Sequence, residues 1–498
     1  TASDASDIYI GSILNTFGID FRARAYTGTG SSSDGQELFD ATNYDTGDIG
    51  LLCFDIDNGK LWFGRRDVSG GTTIWYDSNG ANNGDPSAGS NPTYTGTYTG
   101  HTWFIGCHDY NGTTIIANFG QDGSFSGSLA SQGVSDANGI GDFNYIESGF
   151  LALCSQNLPD ADIIDGTDNF NTVLYTGNGS SRSITGVGFS PDWVWLKPRS
   201  DADNHNVFDS VRGVQKRLYV NTTAAEATRT DGLSAFDSDG FSIGDWNNIN
   251  ENSQTYVAWN WLAGTAFSND ASATSVGTID SEGQVNTKAG FAILKWAGTG
   301  SNGTLAHGLT KAPELIIVKN RGETDEWPVL ETVANGGTHY LRLNITATST
   351  STSVMWNNTN PTDSVFSLGT YEYVNASGEN YISYIFHSVE GYSKVGSYIG
   401  NGNADGTFVF TGFKPAWVMI KNTGAVGSWI IFDNKRQGFN FDNHHVMADT
   451  TAAEADDSDI DLVSNGFKCR RSSTSFNSAH TFIYLAFAEQ PFKFANAR

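Results

Sequence analysis

A unit of about a hundred residues occurs three times in this chain, and this repetition constrains the fold more than any other feature. Each copy contains an aromatic residue followed by Gly-x-Gly, at residues 175–179, 296–300 and 398–402. In each copy an apolar strand then ends on a lysine, at Lys197, Lys319 and Lys421. Repeats of this length are whole small domains rather than turns of a solenoid. We therefore predict a row of separate β-domains, an arrangement that serves reach and multivalent contact more often than catalysis.

The composition favours β-domains and excludes several classes of function. Only 16% of the 498 residues are charged and 38% are hydrophobic, while Gly, Ser, Thr, Asn and Asp are abundant. These small polar residues suit tight turns between strands rather than long helices. The formal net charge of −26 repels polyphosphate, so we predict no nucleic-acid partner. No apolar run is long enough to span a bilayer, so we predict no membrane insertion.

The start of the chain and its cysteines give weaker constraints. The chain begins with Thr1, so we expect either a processed protein or the ordered part of a longer one. The four cysteines are Cys53, Cys107, Cys154 and Cys469. None lies in a Cys-x-x-Cys pair, which disfavours a zinc site or a redox motif.

Residues 1–157 form a first unit of a different kind. Two alternating apolar runs flank Asp-Asn-Gly at 57–59, which is the turn chemistry of a tight hairpin. A second hairpin is predicted over residues 102–120, with its turn at Asn111 and Gly112. Between the two hairpins, residues 77–98 are rich in Gly, Asn, Pro, Ser and Tyr and lack periodicity, so we predict a long loop there.

The two hairpins resemble those of the SPRY domain, in the same order along the chain. The resemblance rests on Asp-Ile-Asp-Asn-Gly-Lys-Leu-Trp-Phe at 55–63 and Trp-Phe-Ile-Gly at 103–106, and covers roughly residues 10–125. That family is a bent, concanavalin-like β-sandwich related in shape to legume lectins, whose members bind protein partners through loops at one edge. The resemblance therefore implies a binding scaffold.

The whole chain is predicted to be all-β: a SPRY-like β-sandwich followed by three related β-sandwich-type repeat domains. Linkers are predicted at 158–169 and 266–288, with repeat 1 at 170–265, repeat 2 at 289–390, repeat 3 at 391–490 and a tail at 491–498. Each repeat should contain at most a short helix. Thr223 precedes Glu226, and Thr451 precedes Glu454, at the spacing of a capping box, which predicts a short helix in repeats 1 and 3.

The repeats also resemble virion proteins of marine tailed phages. The similar stretches are residues 171–195, Phe-Asp-Ser-Val-Arg-Gly at 208–213, and the ending at 489–498. Members of that group often join a SPRY-like or lectin-like module to tandem copies of this repeat. The resemblance implies a structural or host-contact role.

Four segments contain residue types that can bind a metal ion, and a simpler interpretation is favoured at each. The run at 55–59 opens like a calcium loop, but Arg66 stands where an EF-hand needs glutamate. The acidic runs at 160–168 and 456–461 are favoured as solvated segments, with a shared calcium ion as the alternative for the first. His444 and His445 are adjacent, so on a strand they would point to opposite faces and would not chelate one ion. We therefore predict no metal and no cofactor.

Candidate site residues come from aromatic side chains. The tryptophans at alternating strand positions in the repeats are predicted to lie in the core. Trp75, Tyr76, Tyr94 and Tyr98 lie beside or inside the long loop, so we predict that they stack on a sugar ring or a partner side chain. Neither a His-Glu-x-x-His motif nor a Walker loop occurs, so we predict no catalytic residue and no enzyme.

Taken together, the residues and the resemblances predict a phage virion protein on the outer surface of the particle. Its expected role is a tail fibre, spike or other appendage that binds the host surface, glycan or protein, and contacts other virion proteins. A homo-oligomer such as a trimer is expected. Three alternatives stay open: a capsid or tail decoration protein without host binding, a glycan-degrading tailspike, and a secreted bacterial adhesin.

Overall fold

The computed structural model describes residues 17–19, 25–27, 47–96, 116–437, 440, 443–457 and 460–495. The chain divides into two compact units, Thr1–Leu158 and Pro159–Arg498. Nearly all of the regular structure is antiparallel β-strand, which confirms the predicted all-β class.

The described part of the first unit contains six strands and one short 3-10 helix. The strands are β1 (Phe17–Ile19), β2 (Ala25–Thr27), β3 (Ile49–Asp55), β4 (Lys60–Arg66), β5 (Thr73–Trp75) and β6 (Tyr94–Thr95), and the 3-10 helix is Ser155–Asn157. Strands β3 and β4 form the hairpin predicted around 57–59, with Gly59 in the left-handed region at φ +64°. A Cβ at Gly59 would lie 2.0 Å from the Gly96 carbonyl oxygen, so glycine is required there. The second predicted hairpin, with its turn at residues 111–112, lies outside the described residues.

The second unit contains the three repeats, and each begins on a strand. Repeat 1 has β7 (Phe170–Thr176), β8 (Arg182–Thr185), β9 (Trp193–Pro198), β10 (Asn206–Asp209), β11 (Lys216–Tyr219), β12 (Ala227–Thr228), β13 (Leu233–Asp237), β14 (Gly240–Ile243), α1 (Asn247–Asn250) and β15 (Thr255–Trp261). A 3-10 helix, Gly166–Asp168, precedes it.

Repeat 2 has two additional strands and one additional helix at its start. Its elements are β16 (Thr265–Asn269), α2 (Ala271–Thr274), β17 (Ser281–Asn286), β18 (Phe291–Ala297), β19 (Gly303–Ala306), β20 (Leu315–Asn320), β21 (Pro328–Glu331), a 3-10 helix (Gly336–Thr338), β22 (His339–Arg342), β23 (Thr350–Ser351), β24 (Val365–Leu368), α3 (Glu372–Asn375) and β25 (Asn380–Phe386).

Repeat 3 follows after a short connection. Its elements are β26 (Ser393–Ile399), β27 (Phe408–Phe410), β28 (Phe413–Asn422), β29 (Ile430–Asp433), β30 (Asn443–Met447), β31 (Ala455–Asp457), β32 (Ile460–Val463), β33 (Gly466–Cys469), β34 (Thr481–Pro491) and a 3-10 helix (Phe492–Phe494).

Each repeat is a sandwich of a large sheet and a small sheet. The strand orders of the large sheets are β12-β11-β10-β9-β15-β7, β16-β17-β18-β25-β20-β21-β22-β23 and β26-β34-β28-β29-β30-β31. The small sheets are β13-β14-β8, β19-β24 and β27-β33-β32. A separate cluster of buried apolar side chains fills the space inside each sandwich.

Much of the outer face of each large sheet is buried, because the three sheets meet in one shared core. On β9, Trp193 and Trp195 belong to this shared core, whereas Val194 and Leu196 belong to the core of repeat 1. The same alternation occurs on β20 and on β28. A strand buried on both faces reads as a continuous apolar run, which explains the apolar segments that precede the three lysines. The predicted core role of the tryptophans is confirmed.

The shared core corrects the prediction of separate domains in a row. All three repeats contribute side chains to it, among them Trp259, Trp327 and Trp417, each with no exposed surface. Contacts between residues place 159–498 in one compact unit. The physical reason is that each large sheet is apolar on both faces, so one small sheet covers only half of its apolar surface.

Two further corrections concern the predicted linkers and helices. Residues 266–288 include most of β16 and all of β17, which extend the large sheet of repeat 2. Within 158–169, Ile163 is buried in the shared core. Glu226 and Glu454 begin no helix, because their side chains bind arginines of neighbouring repeats instead.

Candidate functional site

The three repeats meet at three junctions that share one hydrogen-bond pattern. In each, a ring directly before the strand that follows the repeated lysine (β10, β21 or β29) donates to a carbonyl oxygen of the preceding repeat. These pairs are Trp327 Nε1 to Tyr219 O (3.0 Å), Trp429 Nε1 to Arg342 O (2.8 Å) and His205 Nε2 to Met447 O (3.0 Å). The third pair joins repeat 1 back to repeat 3, so the three repeats form a closed ring with pseudo-threefold symmetry.

His205 occupies the position that tryptophan holds in the other two repeats. Its Nδ1 accepts a hydrogen bond from Trp195 Nε1 at 2.9 Å, so the proton of the neutral ring is on Nε2. The ring has no exposed surface. Burial lowers the pKa of His205 well below its ordinary value, and the nearby Lys197 lowers it further. His205 is therefore a neutral structural side chain.

The three lysines identified in the sequence hold the same junctions together. Each has no exposed surface, and each ammonium group donates to carbonyl oxygens of its own repeat and of the preceding one. The contacts across the junctions are Lys319 to Thr223 O (3.1 Å), Lys421 to Thr346 O (2.9 Å) and Lys197 to Thr451 O (3.3 Å). Desolvation by burial lowers the pKa of each lysine to about 8.

Two of the junctions contain a buried ion cluster that the third lacks. Arg321 forms a bidentate pair with Glu226 (2.9 and 3.0 Å), and Arg199 forms one with Glu454 (2.9 and 2.8 Å). Burial raises the pKa of both carboxyl groups, but hydrogen bonds and charge from the arginines outweigh it and lower both values. At the junction of repeats 2 and 3, Ser349 and Thr423 stand in place of the glutamate and the arginine, and Ser349 N donates to the Thr423 carbonyl at 3.1 Å.

Strand β17 fills the first junction with a side chain that the second junction lacks. With its nitrogen facing the carboxylate, the Gln284 amide donates to both oxygens of Asp192, 3.2 Å from Oδ2, and lies 2.8 Å from Ser210 Oγ. Ser210 Oγ also donates to Asp192 Oδ1 at 2.8 Å. In the described part of the chain, repeat 3 begins with β26 and has no strands equivalent to β16 and β17, so no counterpart of Gln284 lies at this place.

At the corresponding place repeat 2 carries a cleft of about 550 Å³. Glu314 and Thr332, which correspond in position to Asp192 and Ser210, both line it. The correspondence is fixed by register, because Thr332 N donates to Glu314 O as Ser210 N donates to Asp192 O. The other lining residues are Lys311, Ala312, Pro313, Asn360, Pro361, His387 and Ser388. We take this cleft as the candidate site.

Hydrogen bonds fix the polar groups of the cleft. Glu314 Oε2 accepts from the Ser388 backbone N–H and from Ser388 Oγ, which leaves Oε1 as a further acceptor. Asn360 Oδ1 accepts from Gly337 N at 2.6 Å, so its Nδ2 is a donor. His387 is 3% exposed and donates from Nδ1 to Ser388 O, and its Nε2 has no partner among the described residues. Burial lowers the pKa of His387, so the ring is neutral near pH 7. The residues that line the cleft therefore offer two acceptors, Glu314 Oε1 and His387 Nε2, and one amide donor, Asn360 Nδ2.

A second surface feature belongs to repeat 3 alone. Ile399, Phe408 and Phe410 are 71%, 37% and 43% exposed, and we call them the repeat-3 edge patch. Thr407 Oγ1 donates to Ile399 O, which brings the end of β26 beside β27. The corresponding residues are Thr176, Ser183 and Thr185 in repeat 1, and Ala297, Thr304 and Ala306 in repeat 2.

In repeat 2, residues 278–281 cover the corresponding edge. The backbone N–H groups of Thr278 and Ile279 donate to Thr304 O, and Ser281 Oγ donates to Ala306 O at 2.8 Å. As a result Ala306 is only 3% exposed. The edge strand of repeat 3 has no such cover among the described residues, although Lys394 donates to Phe410 O at 3.3 Å.

A family model described as a domain of unknown function (DUF7483) matches residues 165–491. The chain belongs to the DUF7483 family. No curated protein and no solved structure matches the chain. The DUF7483 match begins at Asp165, directly before the 3-10 helix of repeat 1, and ends with strand β34. The DUF7483 region is therefore the closed ring of three repeats, with all three junctions and both surface features.

The aromatic residues predicted to bind lie outside the DUF7483 region. Trp75, Tyr76 and Tyr94 are 8%, 1% and 6% exposed, so the expectation of exposed rings is wrong for these three. Trp75 packs with Cys53 and Trp62 in the core of the first unit and donates to Glu147 at 2.7 Å. Tyr98 lies outside the described residues, and its binding role stays a prediction. The error arose because β5 and β6 place loop-flanking residues inside a sheet.

The acidic runs and the histidine pair bind other side chains. Asp160 pairs with Lys493 at 2.8 Å, and Asp165 caps the 3-10 helix through Thr167 N. His444 is partly exposed and lies beside Glu454, whereas His445 is buried, so the two point to opposite faces as predicted. Among the described residues, no group of three or more His, Cys, Asp or Glu side chains could hold a metal ion. None of the described helices has the length and apolar character needed to cross a bilayer.

Gly-Phe-Ser-Ile-Gly at 240–244 has the spacing of a nucleophile elbow, but not its structure. Ser242 lies within strand β14, paired with both β13 and β8. Its hydroxyl donates to Asp237 Oδ2 at 2.6 Å and contacts Ser183 Oγ at 2.8 Å. An elbow needs a sharp turn from a strand into a helix with a histidine beside the serine. We assign Ser242 a structural role.

Sequence reasoning missed the junction residues, although a signal was available. Repeats 1 and 3 share Thr-Thr-Ala-Ala-Glu-Ala, and repeat 2 lacks it. The residue two positions after the repeated lysine is Arg199, Arg321 or Thr423. The glutamate is missing from repeat 2 and the arginine is missing from repeat 3. The two residues are thus lost together at one junction, and this joint loss indicates that they form an ion pair at the other two. The cleft had no sequence signal, because it depends on the absence of two strands from repeat 3.

Proposed function

We propose that this chain is a virion structural protein of a tailed phage, an appendage such as a tail fibre or spike whose role is contact with the host surface. The proposal starts from the similarity of residues 171–195, 208–213 and 489–498 to virion proteins of marine tailed phages. A closed ring with a shared aromatic core and buried ion clusters suits a part that must keep its shape while bearing load.

The observation that carries the proposal is the repeat-3 edge patch. Apolar side chains at these three positions have polar or small counterparts in the other repeats, so the pattern of the repeat does not require them. Exposed apolar side chains on an edge strand favour pairing with another chain. We propose that the patch receives an extended segment of another virion protein, in the way that residues 278–281 lie on repeat 2.

The partner segment would add main-chain hydrogen bonds at the Phe408 carbonyl, which corresponds to the Thr304 carbonyl bound by Thr278 and Ile279. Apolar side chains of that segment would cover Phe408 and Phe410. Such a contact fixes the appendage to the particle through repeat 3. The first unit is a separate compact unit. Because it resembles a SPRY domain, we propose that it makes the contact with the host.

The proposal is tested on particles that carry a chain with Phe408→Ser and Phe410→Thr, the residues of repeat 1 at these positions. We expect the variant to fold with an unchanged melting temperature and to be lost from purified particles. The matched control is Ser183→Ala in repeat 1, which should be retained. Antibody labelling under the electron microscope should place the wild-type chain at the tail or spike. Labelling over the whole capsid, or full retention of the variant, would contradict the proposal.

A further inference from the structure

We propose that the cleft of repeat 2 beside Glu314 and Thr332 binds the carboxamide of a glutamine side chain carried by an extended polypeptide. The inference rests on a comparison of two junctions within one chain. It does not depend on which particle or partner the chain serves, and it concerns a place separate from the repeat-3 edge patch.

The first junction shows what chemistry this position recognises. There an acid and a hydroxyl, Asp192 and Ser210, hold the amide nitrogen of Gln284. Asp192 is 8% exposed, so its carboxylate needs donors, and the amide N–H₂ supplies them. The backbone groups of Ala263 and Gly264 satisfy the other carboxylate oxygen, at 2.9 and 2.7 Å.

The second junction repeats this arrangement without the amide. Glu314 replaces Asp192, Thr332 replaces Ser210, and Ser388 replaces Ala263 as the backbone donor to the acid. One carboxylate oxygen of Glu314 is thus occupied by Ser388, as one oxygen of Asp192 is occupied by Ala263 and Gly264. Glu314 and Thr332 both line the cleft. A carboxylate and a hydroxyl are the two side-chain groups that hold the N–H₂ of Gln284 at the first junction.

The remaining cleft wall suits the oxygen of the same amide. Asn360 Nδ2 and the Lys311 ammonium group are donors on residues that line the cleft. Glu314 would repel a negatively charged side chain in the cleft, and Lys311 would repel a positively charged one. A neutral group with both a donor and an acceptor therefore fits better than either ion.

The occupant is a polypeptide rather than a sugar because of how Gln284 is presented. Gln284 lies on β17, where it pairs with Ile293 of β18. The residue of repeat 3 that corresponds to Ile293 is Val395, whose backbone N–H is bound by Ser388 Oγ at 3.0 Å. At Val395 the Ser388 hydroxyl thus accepts the hydrogen bond in place of a neighbouring strand such as β17. The space that the Gln284 side chain fills at the first junction is left for another side chain. A cleft of about 550 Å³ holds a glutamine and its neighbours in an extended segment.

The test uses the full chain and an acetylated, amidated peptide with the sequence of residues 281–287, which contains Gln284. The matched probe has glutamate in place of that glutamine. We expect the glutamine peptide to bind with a Kd of roughly 0.1–1 mM in a calorimetric titration, and the glutamate peptide to bind at least about ten-fold more weakly. In a saturation-transfer NMR experiment the glutamine side chain should receive the strongest signal.

Variants locate the binding. Glu314→Gln keeps an acceptor for the Ser388 N–H, so the chain should fold, but it presents an amide in place of the carboxylate and should weaken binding about ten-fold. Asp192→Asn at the first junction, where Gln284 already fills the place, should leave the affinity unchanged. No binding of the glutamine peptide at 10 mM, equal binding of the two peptides, or equal effects of the two variants would overturn the inference. Binding of N-acetylglucosamine without binding of the peptide would overturn the polypeptide assignment.

Discussion

Glu454 and Arg199 are 255 positions apart in the chain and form a bidentate ion pair, with Nε 2.9 Å from Oε2 and Nη2 2.8 Å from Oε1. This pair joins repeat 3 to repeat 1 and closes the ring. Arg436, whose side chain has no exposed surface, also contacts Glu454 at 3.3 Å. The carboxylate therefore neutralises two arginines from two repeats, as Glu226 does for Arg212 and Arg321 at the first junction.

Removing the Glu454 charge should destabilise the ring strongly. In Glu454→Gln, the buried Arg436 keeps only Asp433 as a charged partner and Arg199 keeps none across the junction, so we expect a loss of about 2–4 kcal/mol in the free energy of unfolding. Chemical denaturation of the full chain measures it. Ser349→Ala, at the corresponding position of the junction of repeats 2 and 3, is the control and should cost less than about 1 kcal/mol. Equal losses would show that the ion cluster does not stabilise the closure.

His205 should make stability depend on pH on the acid side. Its pKa in the folded state lies well below the value of about 6.5 in the unfolded chain. As pH falls below about 6.5, the unfolded state binds a proton that the folded state does not, so the free energy of unfolding decreases. His205→Gln can still accept from Trp195 and donate to Met447 O, and it does not titrate. The difference in stability between wild type and this variant should shrink or reverse from pH 7 to pH 5, and a constant difference would contradict the prediction.

The junction lysines should act in the opposite pH range. Their folded pKa values of about 8 lie below the ordinary 10.5. Between pH 8 and about 10 the unfolded chain holds protons that the folded chain releases, so the lysine contribution to stability rises with pH. Below pH 8 this contribution is constant. In Lys319→Met the rise should be smaller than in wild type, and unfolding curves at pH 7.5, 8.5 and 9.5 compare the two. Parallel pH profiles would mean that Lys319 does not titrate as the burial requires.

The repeats should not fold separately. A fragment of residues 159–265 exposes the face that carries Trp193, Trp195, Trp259 and Trp261, all of which are at most 2% exposed in the ring. We expect this fragment to aggregate or to remain without fixed tertiary structure, because burying each indole contributes about 2–3 kcal/mol. Residues 159–495 should instead unfold in one cooperative calorimetric transition. A soluble fragment with sharp near-ultraviolet dichroism would show that the shared core is dispensable.

The sequence by itself determined the β-class, the three repeats, the turn at 57–59 and the core positions of the tryptophans. These features depend on local chemistry, because strand period, turn residues and apolar runs are read within a few residues. It also fixed which lysines recur, but not that they lie across junctions. Only the tertiary structure decided that the repeats close into a ring, that Glu226 and Glu454 bind arginines of other repeats, and that Trp75, Tyr76 and Tyr94 are buried. Each of these depends on contacts between residues distant in the chain, and the cleft beside Glu314 depends on strands that one repeat has and the next lacks.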